Sequence, residues 1–365
     1  MPDTLKEIIL NEIKSHGAMN LGAFTSMALC HPEHGYYMNG DPFGAEGDFT
    51  TAPEISQMFG EVIGAWVIDV WMQMGQPSSV NLIECGPGRG TLMLDILRAG
   101  KSVDGFVAAV QIHFVEASEG LRQKQAETLK GYNVSWHGDI SDITGDIPCI
   151  ILGNEFLDAL PIEQLKRGEK GWQKRMVAVN DVQEFMFTWA DAEKELTQCL
   201  PSKTVSHKRY EVAPVRNQFI SSCVDLLNAS GGVALFIDYG YTTSHYGDTL
   251  QAVKKHEYVD VLKGIGACDI TSHIDFDALS RHARGQGVHV EPIAVQGAFL
   301  TKLGIKHRLL ALKNTAFKTK SLDDATVLIK TMEQSLDRLV DNAQMGDLFK
   351  VMCFHNGDDL KPAGF

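Results

Sequence analysis

Two short stretches carry side chains whose types and spacing suit chemistry. In "NLIECGPGRGTL" (residues 81–92) an apolar run closes on Glu84, and Gly86, Gly88 and Gly90 follow before a helical stretch begins. Glycines at that point let a ligand approach the backbone closely. In "GNEFLDALP" (residues 153–161) Asn154, Glu155 and Asp158 gather around Phe156 directly after a second apolar run. Paired acids there suit an amine or guanidinium: a carboxylate aligns the cation, and an acceptor takes the proton lost as the nitrogen is alkylated. The same residues also read as caps of a turn, Asn154 and Asp158, with Glu155 a solvated rim charge.

The glycine spacing separates two ligand classes. A dinucleotide fingerprint places its third glycine one position later, where Thr91 stands. A pyrophosphate also needs a bare helix N-terminus to receive its charge. S-adenosylmethionine brings an ammonium, a carboxylate and a sulfonium instead, and Glu84 suits the ammonium. Glu116, closing "HFVEAS", lies one strand–helix unit further on, where an acid accepts from the ribose hydroxyls of either ligand. Asp139 of "WHGDIS" stands where it accepts from an adenine amino group, a placement more typical of methyltransferases than of dehydrogenases. In "LFIDYGY" Asp238, Tyr239 and Tyr241 close another apolar run; tyrosines there either enclose a substrate or cover a strand end.

Side chains spread this far along the chain converge only if a parallel sheet brings its strand ends together. From residue 80 onward, short β-branched runs alternate with segments of helical period, which predicts an α/β, Rossmann-like fold. Strands are expected at 80–85, 111–116, 134–137, 149–153, 233–238 and 288–294, with 348–354 a seventh that arrives last and pairs antiparallel. Helices are expected near 91–99, 119–129, 215–228 and 274–284. The core would then comprise residues 79–160 and 215–300, with 346–365 adding the last strand and a tail. Residues 161–214 show two-residue alternation and are too long for a crossover, so an inserted β-rich hairpin is expected to cap the ligand edge. A helical insertion is expected over 301–345.

Residues 1–78 read as an N-terminal helical element, with helices near 5–14 and 55–73. The loop between them, "CHPEHGYYMNGDPFGAEGDFTTAPEISQMFGE", reads as a lid. Gly40, Gly44 and Gly47 would free it, while Tyr36, Tyr37, Phe43 and Phe49 would close over a thioether and adenine. Thr51 sits near the cap of the next helix and Pro53 in its first turn. Cys30, His31 and His34 lack the second cluster that a four-ligand site needs, so no metal is expected.

Composition narrows the partners. A formal net charge of -13 opposes a phosphate backbone, so nucleic acid is disfavoured. Seven scattered cysteines without a C-x-x-C pair suit a reducing compartment. The acidic N-terminal stretch is no signal or transit peptide, and no apolar run approaches the roughly 20 residues of a bilayer span. These features predict no membrane insertion and a cytoplasmic chain, or an organelle-matrix chain after processing. Oligomeric state has no signature here.

Taken together, "HPEHGYY…DPFGAEGDFTTAPEISQMFGE", "ECGPGRGTLM", "GNEFLDALP", "FIDYGY…GDTLQA" and "DITSHIDF…VQGAFLTKLGI" resemble the MidA family. These are class I S-adenosylmethionine-dependent methyltransferases, among them the mitochondrial complex I assembly-factor arginine methyltransferase. The resemblance implies a seven-stranded methyltransferase sheet and N-methylation of protein arginine, in the mitochondrial member on a core subunit of NADH:ubiquinone oxidoreductase. By motif it implies that Gly86, Gly88, Gly90, Glu116 and Asp139 bind cofactor and that Asn154, Glu155 and Asp158 face the arginine. Asp48, Phe49, Thr51, Pro53, Glu54 and Gln57 would wall both sites, with Asp48 and Tyr36 or Tyr37 enclosing the acceptor. Cys85 within the glycine motif and "SHIDF" are mild departures. The lack of a presequence is expected of a bacterial relative. An alternative reading keeps the fold and the bound cofactor but makes the chain an assembly protein that holds a client with little catalysis.

Overall fold

The computed structural model describes residues 4–38, 50–201, 204–205, 208–357 and 359–365. Its centre is one twisted sheet. Seven strands lie on its main path: β1 Val80–Cys85, β2 Val110–Val115, β3 Val134–His137, β4 Cys149–Asn154, β5 Gly232–Tyr241, β6 His289–Val290 and β7 Phe349–His355. Their order is β6-β7-β5-β4-β1-β2-β3. Strands β1 to β5 are parallel, and β7 runs antiparallel between β5 and β6. Two-residue strands at Ile274–Asp275 and Ala294–Val295 bring the sheet to nine.

Both faces of the sheet are covered at its centre, so β1, β4 and β5 are buried along nearly their whole length, while β2 and β3 towards the edge alternate with polar residues. Val80 and Leu82 enter one core with the helices Gln57–Gln73 and Thr91–Gly100, while Ile83 and Cys85 enter the other with Pro214–Ser230 and Phe276–Arg284. The period of two along β1 therefore feeds two separate cores. The expected strand at 288–294 is instead two short ones, His289–Val290 and Ala294–Val295. Pro292 lies between them and has no N–H for the ladder. The helix expected from 274 starts at Phe276, because Ile274–Asp275 pairs with β5 and the Asp275 carboxylate caps the Ala278 amide at 2.9 Å.

Residues 163–212 form more than a hairpin. Glu163–Arg167, Trp172–Val179, Phe185–Asp191 and Arg209–Val212 make an antiparallel sheet that Met19–Asn20 joins from the N-terminal segment. The helix that follows, Leu21–Cys30, was not expected from the sequence; the Asn20 side chain caps it through the Ala23 amide at 2.6 Å. Phe24 and Leu29 of this helix share a third core with Leu5, Ile9, Val177 and Ile270. That core fuses the N-terminal helices, the cap sheet and a small sheet of Gln251–Lys254, Glu257–Val259 and Asp269–Thr271. The helical insertion consists of Gln296–Lys302, Ile305–Thr319 and Leu322–Val340. No helix among the described residues is long and apolar enough to cross a membrane.

Strand order reverses between β1 and β4, so a crevice opens above their C-terminal ends. The β4–β5 pairing beside it depends on Gly232, whose φ is +132° and whose added Cβ would lie 1.9 Å from the Cys149 carbonyl oxygen. Backbone cannot yield as a side chain can. Gly232→Ala is therefore expected to cost about 3 kcal/mol of stability, read as a lower urea midpoint at unchanged slope.

Candidate active site

Beyond β1 the chain turns sharply, with Gly86, Gly88 and Gly90 at φ of 63°, 54° and 81°. L side chains rarely adopt this region, and at Gly86 a Cβ would also meet Phe156 Cδ2 at 2.7 Å. Glu84 is buried at the strand's end. Desolvation pushes its carboxyl up to about 8, against a lowering hydrogen bond from the Met93 backbone. Its Oε2 is buried with no hydrogen-bond partner among the described residues. A recess of about 30 Å³ lies there, lined by Thr51, Pro53, Glu54, Glu84, Asn154 and the glycine turn.

A second hollow of about 720 Å³ begins at the same turn. On one side it passes Glu116 at the end of β2 and Asp139 after β3. Glu116 accepts from the Ser118 amide at 2.8 Å and from Gln125 Nε2 at 3.1 Å. Burial raises its pKa against those two bonds. Gln125 also donates to the Gly88 carbonyl at 2.8 Å and accepts from Trp136 Nε1 at 2.9 Å, so one amide braces the glycine turn against the second and third strands. Asp139 caps the turn Ile140–Asp142 through the Ser141 amide at 2.8 Å.

The other side is an acidic cluster. Glu155 holds φ +52°, costly for a residue with a side chain, and its Oε1 accepts from the Ala52 amide at 2.8 Å and Asn154 Nδ2 at 3.1 Å. Burial pushes its carboxyl up to about 7. Asp158 accepts from the Tyr239 hydroxyl at 2.7 Å, and its amide donates to Asp238 Oδ2 at 3.1 Å. Desolvation raises both aspartates, and repulsion from Asp158 raises Asp238 further. Buried Arg216 offsets part of this; it donates to the carbonyls of Asp158 at 3.2 Å and His273 at 3.0 Å and to Ser272 Oγ at 2.6 Å. Across the hollow the Tyr37 hydroxyl donates to Asp269 Oδ1 at 2.8 Å.

Most residues singled out from the sequence meet at these two hollows, but not all. Tyr36 is buried in the N-terminal core, edge-on to Tyr37 at 5.2 Å, and lines neither hollow. Its ring packs against the third core instead of enclosing an acceptor. Gln57 is exposed on its helix and donates to Glu61 at 3.0 Å, away from both hollows. Glu54 does line the recess, where it accepts from Thr91 Oγ1 at 2.6 Å. Tyr241 lines a different cleft. Asp48 and Phe49, like Phe43 and the glycines at 40, 44 and 47, lie outside the described residues. Asp269, Gln125 and Arg216 were missed. Arg216 had a signal, since it shares the helical spacing of Ile220, Cys223 and Leu227 on a buried face.

An orphaned carboxylate oxygen beside three left-handed glycines fits a ligand ammonium, and acids at the next two strand ends fit a nucleoside. Set in the crevice of a doubly covered α/β sheet, this donor set defines the class of S-adenosylmethionine-dependent methyltransferases. Residues 62–294 match the family model described as "Putative S-adenosyl-L-methionine-dependent methyltransferase", and the chain belongs to this MidA-like family. Among its relatives, the zebrafish (Danio rerio) protein arginine methyltransferase NDUFAF7, mitochondrial, is 32% identical over 95% of this chain and 86% of its own length. The Drosophila melanogaster homologue is 31% identical over 95% and 83%. The crystal structure of a "superfamily member and likely methyl transferase" from Burkholderia thailandensis, bound to S-adenosyl-homocysteine, superposes with a TM-score of 0.82 at 25% identity, covering 96% of this chain and 92% of that one. This protein is thus an S-adenosylmethionine-dependent methyltransferase.

Glu84 ties the site to stability. Its folded pKa lies above the unfolded value, so the ligand-free fold loses stability as pH rises from about 4.5 towards 8, while the unfolded chain ionises freely. Glu84→Gln removes that loss. Thermal melts of the ligand-free protein should show the variant more stable than the parent at pH 8, with the difference shrinking towards zero as pH falls to about 4.

Proposed function

We propose that this enzyme methylates a nitrogen of arginine side chains in a protein acceptor. The observation that carries the reading is the cluster of Glu155, Asp158 and Asp269 around one hollow that opens onto the glycine turn. A guanidinium is the cation whose planar donors match several carboxylates at once. The names of the relatives agree, being protein arginine methyltransferases. A core subunit of NADH:ubiquinone oxidoreductase is the candidate acceptor that the family resemblance suggests. The free thiols suit a reducing compartment such as the cytoplasm.

S-adenosylmethionine supplies an electrophilic methyl group when bound. Glu84, with the Asn154 side chain and the backbone at Thr51 and Pro53, would hold the amino-acid end in the small recess. Gly86, Gly88 and Gly90 permit the close approach, Glu116 would take the ribose hydroxyls and Asp139 the adenine amine. Glu155 stands between the two hollows. Its described bonds fall on Oε1, which leaves Oε2 to align the guanidinium. Asp158, held by Tyr239, would receive the proton lost from the alkylated nitrogen. Positioning and exclusion of water carry the rate, and no nucleophile is needed.

Two measurements bear on this. Glu155→Gln should bind S-adenosylhomocysteine within about threefold of the parent yet turn over roughly 100-fold more slowly. Because the ionised form is the working one, kcat/KM of the parent should rise with pH through about 7, and the variant should lack that limb. Unchanged turnover removes Glu155 from the mechanism. The acceptor is tested by incubating a cell extract with methyl-labelled cofactor, with and without the protein, and sequencing labelled peptides by mass spectrometry. Label on arginine is expected; label confined to lysine or to small molecules overturns the proposal.

A further inference from the structure

Far from the crevice, at the opposite end of the sheet, β6 and β7 bring together His289, Glu291 and His355. His289 and His355 face each other directly across the antiparallel pair, and Glu291 lies two residues beyond His289, on the same face of the edge. The Glu291 amide keeps that register by donating to the Cys353 carbonyl at 3.0 Å. Glu291 Oε1 lies 3.4 Å from His355 Nε2 and 3.6 Å from His289 Nε2, and one ligand atom from each residue falls within 4.8 Å of the others.

We propose that His289 Nε2, Glu291 Oε1 and His355 Nε2 form a binding site for a divalent transition metal, with zinc the best match. Tetrahedral zinc with bonds of roughly 2.0–2.1 Å needs its ligand atoms about 3.3 Å apart, close to both Glu291 distances. The tautomer is suitable as well. His355 Nδ1 lies 3.0 Å from the Gly357 carbonyl, which can only accept, so Nδ1 donates there and a metal would take Nε2, displacing the proton that Nε2 shares with Glu291 Oε1. His355 is 3% exposed and Glu291 17%, so two ligands are preset by packing, while His289 at 63% leaves the fourth position to water. Nitrogen-rich donors with one carboxylate favour zinc over magnesium or calcium. The site would act as a clamp, since β6 pairs with β7 through only two residues.

The test uses the full chain after exhaustive dialysis against chelator. Zinc at about a hundredfold excess over its Kd should raise the melting temperature by roughly 4 °C, and cobalt should give the visible absorption of a four-coordinate ion at one equivalent. His289→Ala, at an exposed position, and Glu291→Gln should keep the fold and lose both effects. His355→Ala is the weaker test because its ring is buried. Cofactor binding should not change, as the site is remote from the crevice. No shift in the parent, or cobalt absorption that persists in His289→Ala and Glu291→Gln, overturns the proposal; the other histidines and exposed Cys30 would then be the binders.

Discussion

The hydrogen bond from the Ala52 amide to Glu155 joins the N-terminal segment to the end of β4. Among the described residues, Gly86, Gly88 and Glu155 line both the small recess and the large hollow. The two glycines lend only backbone, so Glu155 is the side chain through which the hollows communicate. Its left-handed backbone costs on the order of 1 kcal/mol, and it is sustained because β5 accepts the Glu155 amide through Ile237 at 2.9 Å while Ala52 and Asn154 fix the carboxylate. Residues 50–55 and the strand end are therefore not separable: a shift of either would open the wall between the two hollows.

Around that wall the molecule tolerates an unusual burial of acid. Glu84, Glu155, Asp158 and Asp238 all have carboxyls raised by desolvation, and the buried cation that touches this group, Arg216, spends its bonds mainly on carbonyls rather than carboxylates. A replacement of these acids by apolar residues of like volume would favour the ligand-free fold. Their retention makes sense if positive charge arrives with the ligands, an ammonium at one end and a guanidinium at the other on the proposed reading. The instability of the empty site is then recovered on binding.

The centre of the sheet was legible because β1, β4 and β5 are buried along nearly their whole length and so read as mostly apolar runs; β1 and β3 fall where they were expected, at 80–85 and 134–137. Acids at the strand ends were legible for the same reason, since a charge that terminates such a run must sit at a sheet edge. Less visible were contacts made by elements distant in sequence. Asp269 meets Tyr37 across 232 residues, and although it opens the quoted "DITSHIDF" stretch, no spacing or pattern there gives it a role in a site. Tyr36 and Tyr37 are adjacent and chemically alike, yet one packs a core and the other lines the hollow, a choice made by the helix Leu21–Cys30 that no periodic signal had announced. Likewise Met19–Asn20 joins the cap sheet through only two paired residues, too short a run for side-chain alternation to register.

Size and lining bear on how an acceptor enters. At about 720 Å³ the large hollow lies within the range of small-molecule sites, so it can admit a nucleoside and one extended side chain but no folded element. Glu116 and Asp139 take one flank. The opposite flank comes from the small sheet, with Gln251, Val253, Asp269 and Thr271, and ends at Tyr258, which is 78% exposed at the mouth. An aromatic ring held out at the entrance of an acidic hollow favours a cation over a neutral or anionic side chain before any carboxylate is reached. The third core fixes that flank to the N-terminal helices and the cap sheet, so on the proposed reading selection at the mouth and alignment at Glu155 would belong to one packed unit.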